Sequence, residues 1–227
     1  MPTLTWLGHA CWLLRTERHM ILLDPFLTGN PAAALTADDV PADFILVSHG
    51  HGDHVGDTAR IAHRTGAQVI AMYEITQWLE KHHQVTNAIG MNLGGAVELP
   101  FGRLKMTLAH HSSTLPDGAP GGNPCGFLLQ VEGRRLYFAC DTALFGDMQW
   151  IGRGGLDAAI LPIGDLFTMG PEDSLEAIKL LRPRKVFPSH YNTWPPIAQD
   201  AEAWAASVRR ETDAEPLTPK PGEPMEL

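Results

Sequence analysis

Short apolar runs broken by turn residues mark the first third of the chain. Leu4 to Leu7, Cys11 to Arg15 and Met20 to Leu23 read as three strands, the last ended by Asp24-Pro25. Pro31 to Pro41 reads as a loop with at most one helical turn. Phe44-Ile45-Leu46-Val47 is uninterrupted and rich in β-branched and aromatic residues, the pattern of a buried strand. Val55 to Thr65 predicts a helix closed by Gly66, and Ala67 to Met72 a further strand. Glu74 to His83 is helical, with Ile75, Trp78 and Leu79 on one face.

Two hairpin-like pairs follow. Ala96 to Leu99 pairs with Leu104 to Ala109, and Phe127 to Val131 pairs with Arg135 to Ala139 across a Glu132-Gly133 turn. Between them, Ser112 to Pro124 is rich in Gly and Pro and reads as a lid or a connection. Strands at Ala158 to Leu161 and Val186 to Pro188 then alternate with helices at Pro171 to Leu181 and Asp200 to Arg210. The proline-rich tail from Pro216 to Pro224 reads as an edge segment or partly disordered. No repeat of fixed period is visible. A run of strands followed by alternating helix and strand predicts two sheets with helices outside.

At 227 residues the chain suits a single domain spanning 1–227. Its 17 basic and 26 acidic residues give a net charge of −9, which offers no general attraction for nucleic acid. The longest basic patch is Arg182-Pro183-Arg184-Lys185. No export signal opens the chain and no stretch approaches the length of a membrane span, so a cytoplasmic protein without a membrane partner is expected. Cys11, Cys125 and Cys140 fit a reducing compartment and read as small core residues.

One segment changes this picture. His49, His51, Asp53 and His54 lie within six residues, directly after the buried strand, with Gly50 and Gly52 between them. Imidazole nitrogen and carboxylate oxygen suit divalent metals, and glycine lets the backbone curl so that neighbours converge. His110-His111, Asp141 and His190 each follow a predicted strand. Ligand-type residues at strand C-termini are how α/β sheets build sites. His110 and His111 compete for one role.

The ordered pattern His49-x-His51-x-Asp53-His54, His111, Asp141, His190 resembles the metallo-β-lactamase superfamily, over essentially the whole chain. Trp6-Leu7-Gly8-His9-Ala10-Cys11, Asp24-Pro25-Phe26-Leu27, Ile163 to Gly170 and His190-Tyr191-Asn192-Thr193 resemble its compact branch of metal-dependent hydrolases, which is related to ascorbate-6-phosphate lactonases. The resemblance implies a four-layer αββα sandwich and two divalent metals, zinc by default and manganese as runner-up. It implies one site of His49, His51 and His111, a second of Asp53, His54 and His190, and Asp141 bridging them. His-Ser-Ser favours His111 over His110. Superfamily members with iron redox chemistry carry Glu at the place of His51, so the histidine implies hydrolysis.

The activity so implied is cleavage of an ester, lactone, thioester or phosphoester of a small metabolite, an anionic one included, by a hydroxide bridging the two metals. Asp53 is the first candidate to carry the proton to the leaving group. Asp24 is expected to hydrogen-bond a ligand histidine. His9 is assigned to the site wall or to substrate, and Asp165 to substrate or a metal ligand. Tyr191, Asn192 and Trp194 are candidates for a pocket wall. A phosphodiesterase or nuclease of the same superfamily, and a non-catalytic metal-binding protein, are the alternatives. The sequence leaves a homo-oligomer open.

Overall fold

Apolar residues on both faces of the N-terminal strands require a second layer on each side, and the topology supplies it. In the computed structural model, which describes residues 1–227, β1 (Thr3–Gly8), β2 (Cys11–Arg15) and β3 (Met20–Leu23) form an antiparallel meander. The register slips between Trp6 and Gly8. Gly8 has φ 101°, and a Cβ there would lie 2.6 Å from the Ala32 carbonyl oxygen, so the bulge requires glycine. His9 follows with φ 54°.

The chain then adds β4 (Phe44–Val47), α1 (Gly52–Val55), α2 (Thr58–Thr65), β5 (Gln68–Met72), α3 (Tyr73–His83) and β6 (Ala88–Met91), with β3 to β6 paired in parallel. The helix expected over Val55 to Thr65 is divided. Gly56 (φ 23°) breaks it because Pro25 packs there: a Cβ would meet the Pro25 carbonyl at 2.5 Å, and Asp57 N donates to that same oxygen at 2.8 Å. Asp53 and His54 therefore stand on a single helical turn, where neighbouring side chains diverge by roughly 100°. β6 escaped the sequence reading: it is four residues long, contains Gly90 and has little apolar alternation.

A second sheet follows the same plan. β7 (Ala96–Leu99), β8 (Gly102–Leu108), β9 (Cys125–Val131) and β10 (Arg134–Phe138) are antiparallel. The single turn α4 (Met148–Ile151) then leads to β11 (Leu156–Pro162), α5 (Pro171–Leu181), β12 (Pro183–Ser189), a 3-10 turn at Pro195–Ile197, α6 (Ala201–Glu211) and β13 (Glu215–Pro216), with β10 to β13 parallel. Asp200 caps α6, its carboxylate accepting from the amides of Glu202 and Ala203. β14 (Pro224–Glu226) returns to pair with β1. The proline-rich tail thus serves the edge of both sheets, where a missing N–H costs least. The sheet orders, β14-β1-β2-β3-β4-β5-β6 and β13-β12-β11-β10-β9-β8-β7, repeat one topology that the sequence does not display.

α2 and α3 cover the outer face of the first sheet, and α5 and α6 that of the second. The inner faces meet: Trp12 of β2 and Phe187 of β12 lie edge to face at 5.8 Å, and Trp12 Nε1 donates to Ser189 Oγ at 3.0 Å. The result is an αββα sandwich. Cys11 and Cys125 are buried in it, Cys140 is half-buried, and no cysteine is paired. No helix is long and apolar enough to cross a membrane.

Candidate metal centre

Parallel pairing aligns the C-terminal ends of β4, β10, β11 and β12 at one edge of the sandwich, and the loops leaving them carry the polar residues. His49 and His51 leave β4, Asp141 follows β10 and His190 follows β12; His111 comes from the loop after β8. The side-chain ligand atoms of His49, His51 and His111 all lie within 4.8 Å of one another. So do those of His9, Asp53, His54 and His190, and those of His49, His54 and Asp141. Asp141 Oδ2 is 3.0 Å from His190 Nε2, 3.3 Å from His54 Nε2 and 3.6 Å from His111 Nε2, so it reaches both outer groups.

A buried carboxylate orients two of the imidazoles. Asp24, at φ 43°, accepts from Ser48 N (2.8 Å) and Ser48 Oγ (2.6 Å) and from His54 Nδ1 (2.9 Å). Ser48 Oγ gives its proton to Asp24 and so accepts one from His49 Nδ1 at 2.9 Å. Both histidines therefore carry a proton on Nδ1 and turn Nε2 inward. His54 Nε2 and Asp141 Oδ1 are buried without any hydrogen-bond partner. Such orphans are costly in a closed interior, and a cation would satisfy both.

The electrostatics agree. Burial lowers the pKa of His49, His51 and His111, keeping them neutral and able to ligate. Burial also acts to lower His54, but Asp141 and Asp24 outweigh it and hold that imidazole well above its ordinary value. A field that favours a proton at this point favours a metal ion as well. Burial pushes Asp141 up, yet His190 and His54 overcome this and keep it ionised.

His9 was expected at the site wall or on substrate, and it lies within the second group, fully buried. Its Nε2 is 3.0 Å from Asp53 Oδ2 and its Nδ1 is 2.7 Å from Thr193 Oγ1. Burial lowers its pKa to about 4, so it is neutral at pH 7. An ionised carboxylate only accepts; Nε2 carries the proton and Nδ1 accepts from Thr193. For Asp53, burial raises the pKa, but the His9 hydrogen bond and the field of His54 hold it below the usual carboxylate range.

Asp165 is exposed, lies outside the ligand groups and makes no side-chain hydrogen bond to any ligand-type residue; its carbonyl accepts from Thr168 N in a turn. His110 lies outside the cluster, its ring 5.0 Å from Phe145. Among the pocket-wall candidates, Tyr191 is buried and stacked on Trp6 at 5.0 Å, and Asn192 accepts from Gln199 N; Trp194 faces the site, 5.0 Å from the His9 ring. The Ser112 to Pro124 loop is tied down: Gly50 N donates to Ser113 Oγ, Leu115 is buried, and Thr114 and Pro120 form a bridge. Sequence reasoning did not single out Ser48 and Thr193. Ser48 is a hydroxyl residue between an apolar strand and the first ligand-type histidine, a signal that was there to be used.

Residues 19–191 match the family model described as a beta-lactamase superfamily domain. The chain belongs to the metallo-β-lactamase superfamily. A metal-dependent hydrolase of Thermus thermophilus is 51% identical over the whole length of both chains. One of Thermococcus kodakarensis is 46% identical, again over the whole of each. The solved structure of a metallo hydrolase from Ignicoccus hospitalis superposes with a TM-score of 0.89 at 35% identity, covering 100% of this chain and 99% of the other. This metallo-β-lactamase superfamily member is accordingly a metal-dependent hydrolase, with a His/Asp cluster fitted to hold metal.

Proposed function

We propose that the chain hydrolyses an ester, lactone, thioester or phosphoester bond of a small molecule, using two divalent ions, zinc first and manganese second. His49, His51 and His111 would hold one ion and Asp53, His54 and His190 the other, with Asp141 within reach of both groups. The supporting observation is that three ligand groups adjoin, with His49 and His54 each shared by two of them, while His54 Nε2 and Asp141 Oδ1 lack protein partners. When bound, the pair supplies Lewis acidity that activates a water and polarises the scissile oxygen.

The chain's own residues do the rest. Asp24 and Ser48 fix the tautomers of His54 and His49, so that both present Nε2. Asp53 is more open to solvent than Asp141, and it is ionised. His9 occupies its Oδ2, leaving Oδ1 to take a proton from water and deliver it to the leaving group. Thr193 keeps His9 in the tautomer that donates to Asp53.

The test combines metal analysis with a panel of lactones, aryl esters, thioesters and bis-nitrophenyl phosphate. About two metal equivalents per chain and turnover on at least one class are expected. His51→Ala and Asp141→Ala lose both metal and turnover. Full activity in metal-depleted protein would overturn the proposal.

A further inference from the structure

The rim of the candidate metal centre is carried by residues 8–10, 48–57, 109–113, 139–143 and 190–194, which hold the clustered side chains, and by the loop 163–170 hydrogen-bonded beside them. None of the chain's 17 Lys and Arg residues falls in any of them, whereas Asp53, Asp57, Asp141 and Asp165 do. A phosphate or carboxylate carried away from the scissile bond would find no Lys or Arg in these segments to replace its hydration.

The same rim exposes apolar surface. Leu166 and Phe167 are 64% and 56% exposed. Their loop is fixed beside the cluster: Met169 N donates to the carbonyl of Thr142, next to Asp141, at 2.9 Å, and Ile163 N to the carbonyl of Ser189, next to His190, at 3.0 Å. Asp165 (φ 60°) and Leu166 (φ 38°) both occupy the left-handed region, which is unfavourable for a leucine. Strain that holds apolar side chains in water points to a use for them. Trp194, 36% exposed, lies against His9 and 5.9 Å from Phe26.

We infer that the substrate carries an uncharged apolar substituent, alkyl or aryl, received by Leu166, Phe167 and Trp194. This rests on the hydrolase proposed above and narrows its substrate class, setting aside the anionic metabolite expected from sequence. For an ester, the water oxygen bonds to the carbonyl carbon and the carbon–oxygen bond to the alcohol breaks. One water proton reaches the alkoxide through Asp53, and the acid product releases the other to solvent.

Binding and turnover are measured in parallel on the metal-loaded protein. Calorimetry compares alkyl-substituted δ-lactams, which resist hydrolysis, with counterparts ending in a carboxylate. Affinity is expected to rise about two- to fourfold per methylene for the neutral series and to fall for the charged one. Leu166→Ser/Phe167→Ser flattens the neutral series, and Leu166→Arg shifts preference toward the charged one. Tighter binding of the charged series, or no dependence on chain length, overturns the inference. Turnover of nitrophenyl acetate, butyrate and hexanoate is the second arm. Chain-length-dependent lactam binding without ester, lactone or thioester turnover would sink the hydrolase proposal and leave the apolar binding rim standing.

Discussion

His9 Nε2 lies 3.0 Å from Asp53 Oδ2, although 44 residues separate them in the chain. The bulge at Gly8 and the helical turn α1 bring them together, and burial holds His9 neutral with a pKa of about 4 against an ordinary 6.5. Above pH 6.5 neither folded nor unfolded His9 is charged, so it adds no pH dependence. Between about 6.5 and 4 the unfolded chain binds a proton that the folded chain refuses, and stability falls as pH falls. Below 4 both bind it and the loss levels off. In chelator-treated protein, wild type should lose about 3 kcal/mol relative to His9→Gln between pH 7 and pH 4. Urea denaturation across that range checks it, and parallel curves for the two proteins would contradict it.

Asp24 serves two imidazoles at once, directly at His54 and through Ser48 at His49. Asp24→Asn presents an N–H to one of these donors. Metal affinity is expected to fall about 10- to 100-fold, as for other losses behind a ligand histidine. Competition with a chromophoric chelator measures it.

Metal should also stabilise the fold, because it binds a site that the unfolded chain lacks. At about a thousandfold excess over Kd the gain is about 4 kcal/mol, which for a chain of this size raises Tm on the order of 10 °C. Calorimetric scans with and without zinc test this. The rise should shrink in His51→Ala and Asp141→Ala.

Gly56→Ala probes the break between α1 and α2. The added Cβ would strike the Pro25 carbonyl at a backbone angle that alanine disfavours. A loss of about 1–3 kcal/mol is expected, together with lower metal content, because α1 carries Asp53 and His54. Thermal unfolding and metal analysis read the two effects separately.

The sequence by itself determined most strands and helices, because apolar periodicity reports the burial that each element achieves. It also picked out seven of the eight residues whose ligand-type atoms cluster in the structure and set the eighth, His9, at the site wall or on substrate, since imidazole and carboxylate groups crowded at strand ends have few other uses. It could not show the break at Gly56, which depends on Pro25 arriving from an earlier loop, nor β6, whose pairing with β5 stabilises four residues of weak pattern. Only the tertiary structure decided that His9 holds Asp53, that Asp24 reaches His54 across 30 residues, and that Tyr191 belongs to the core. Those outcomes depend on hydrogen bonds and contacts between distant segments, and local propensity carries no record of which segments meet.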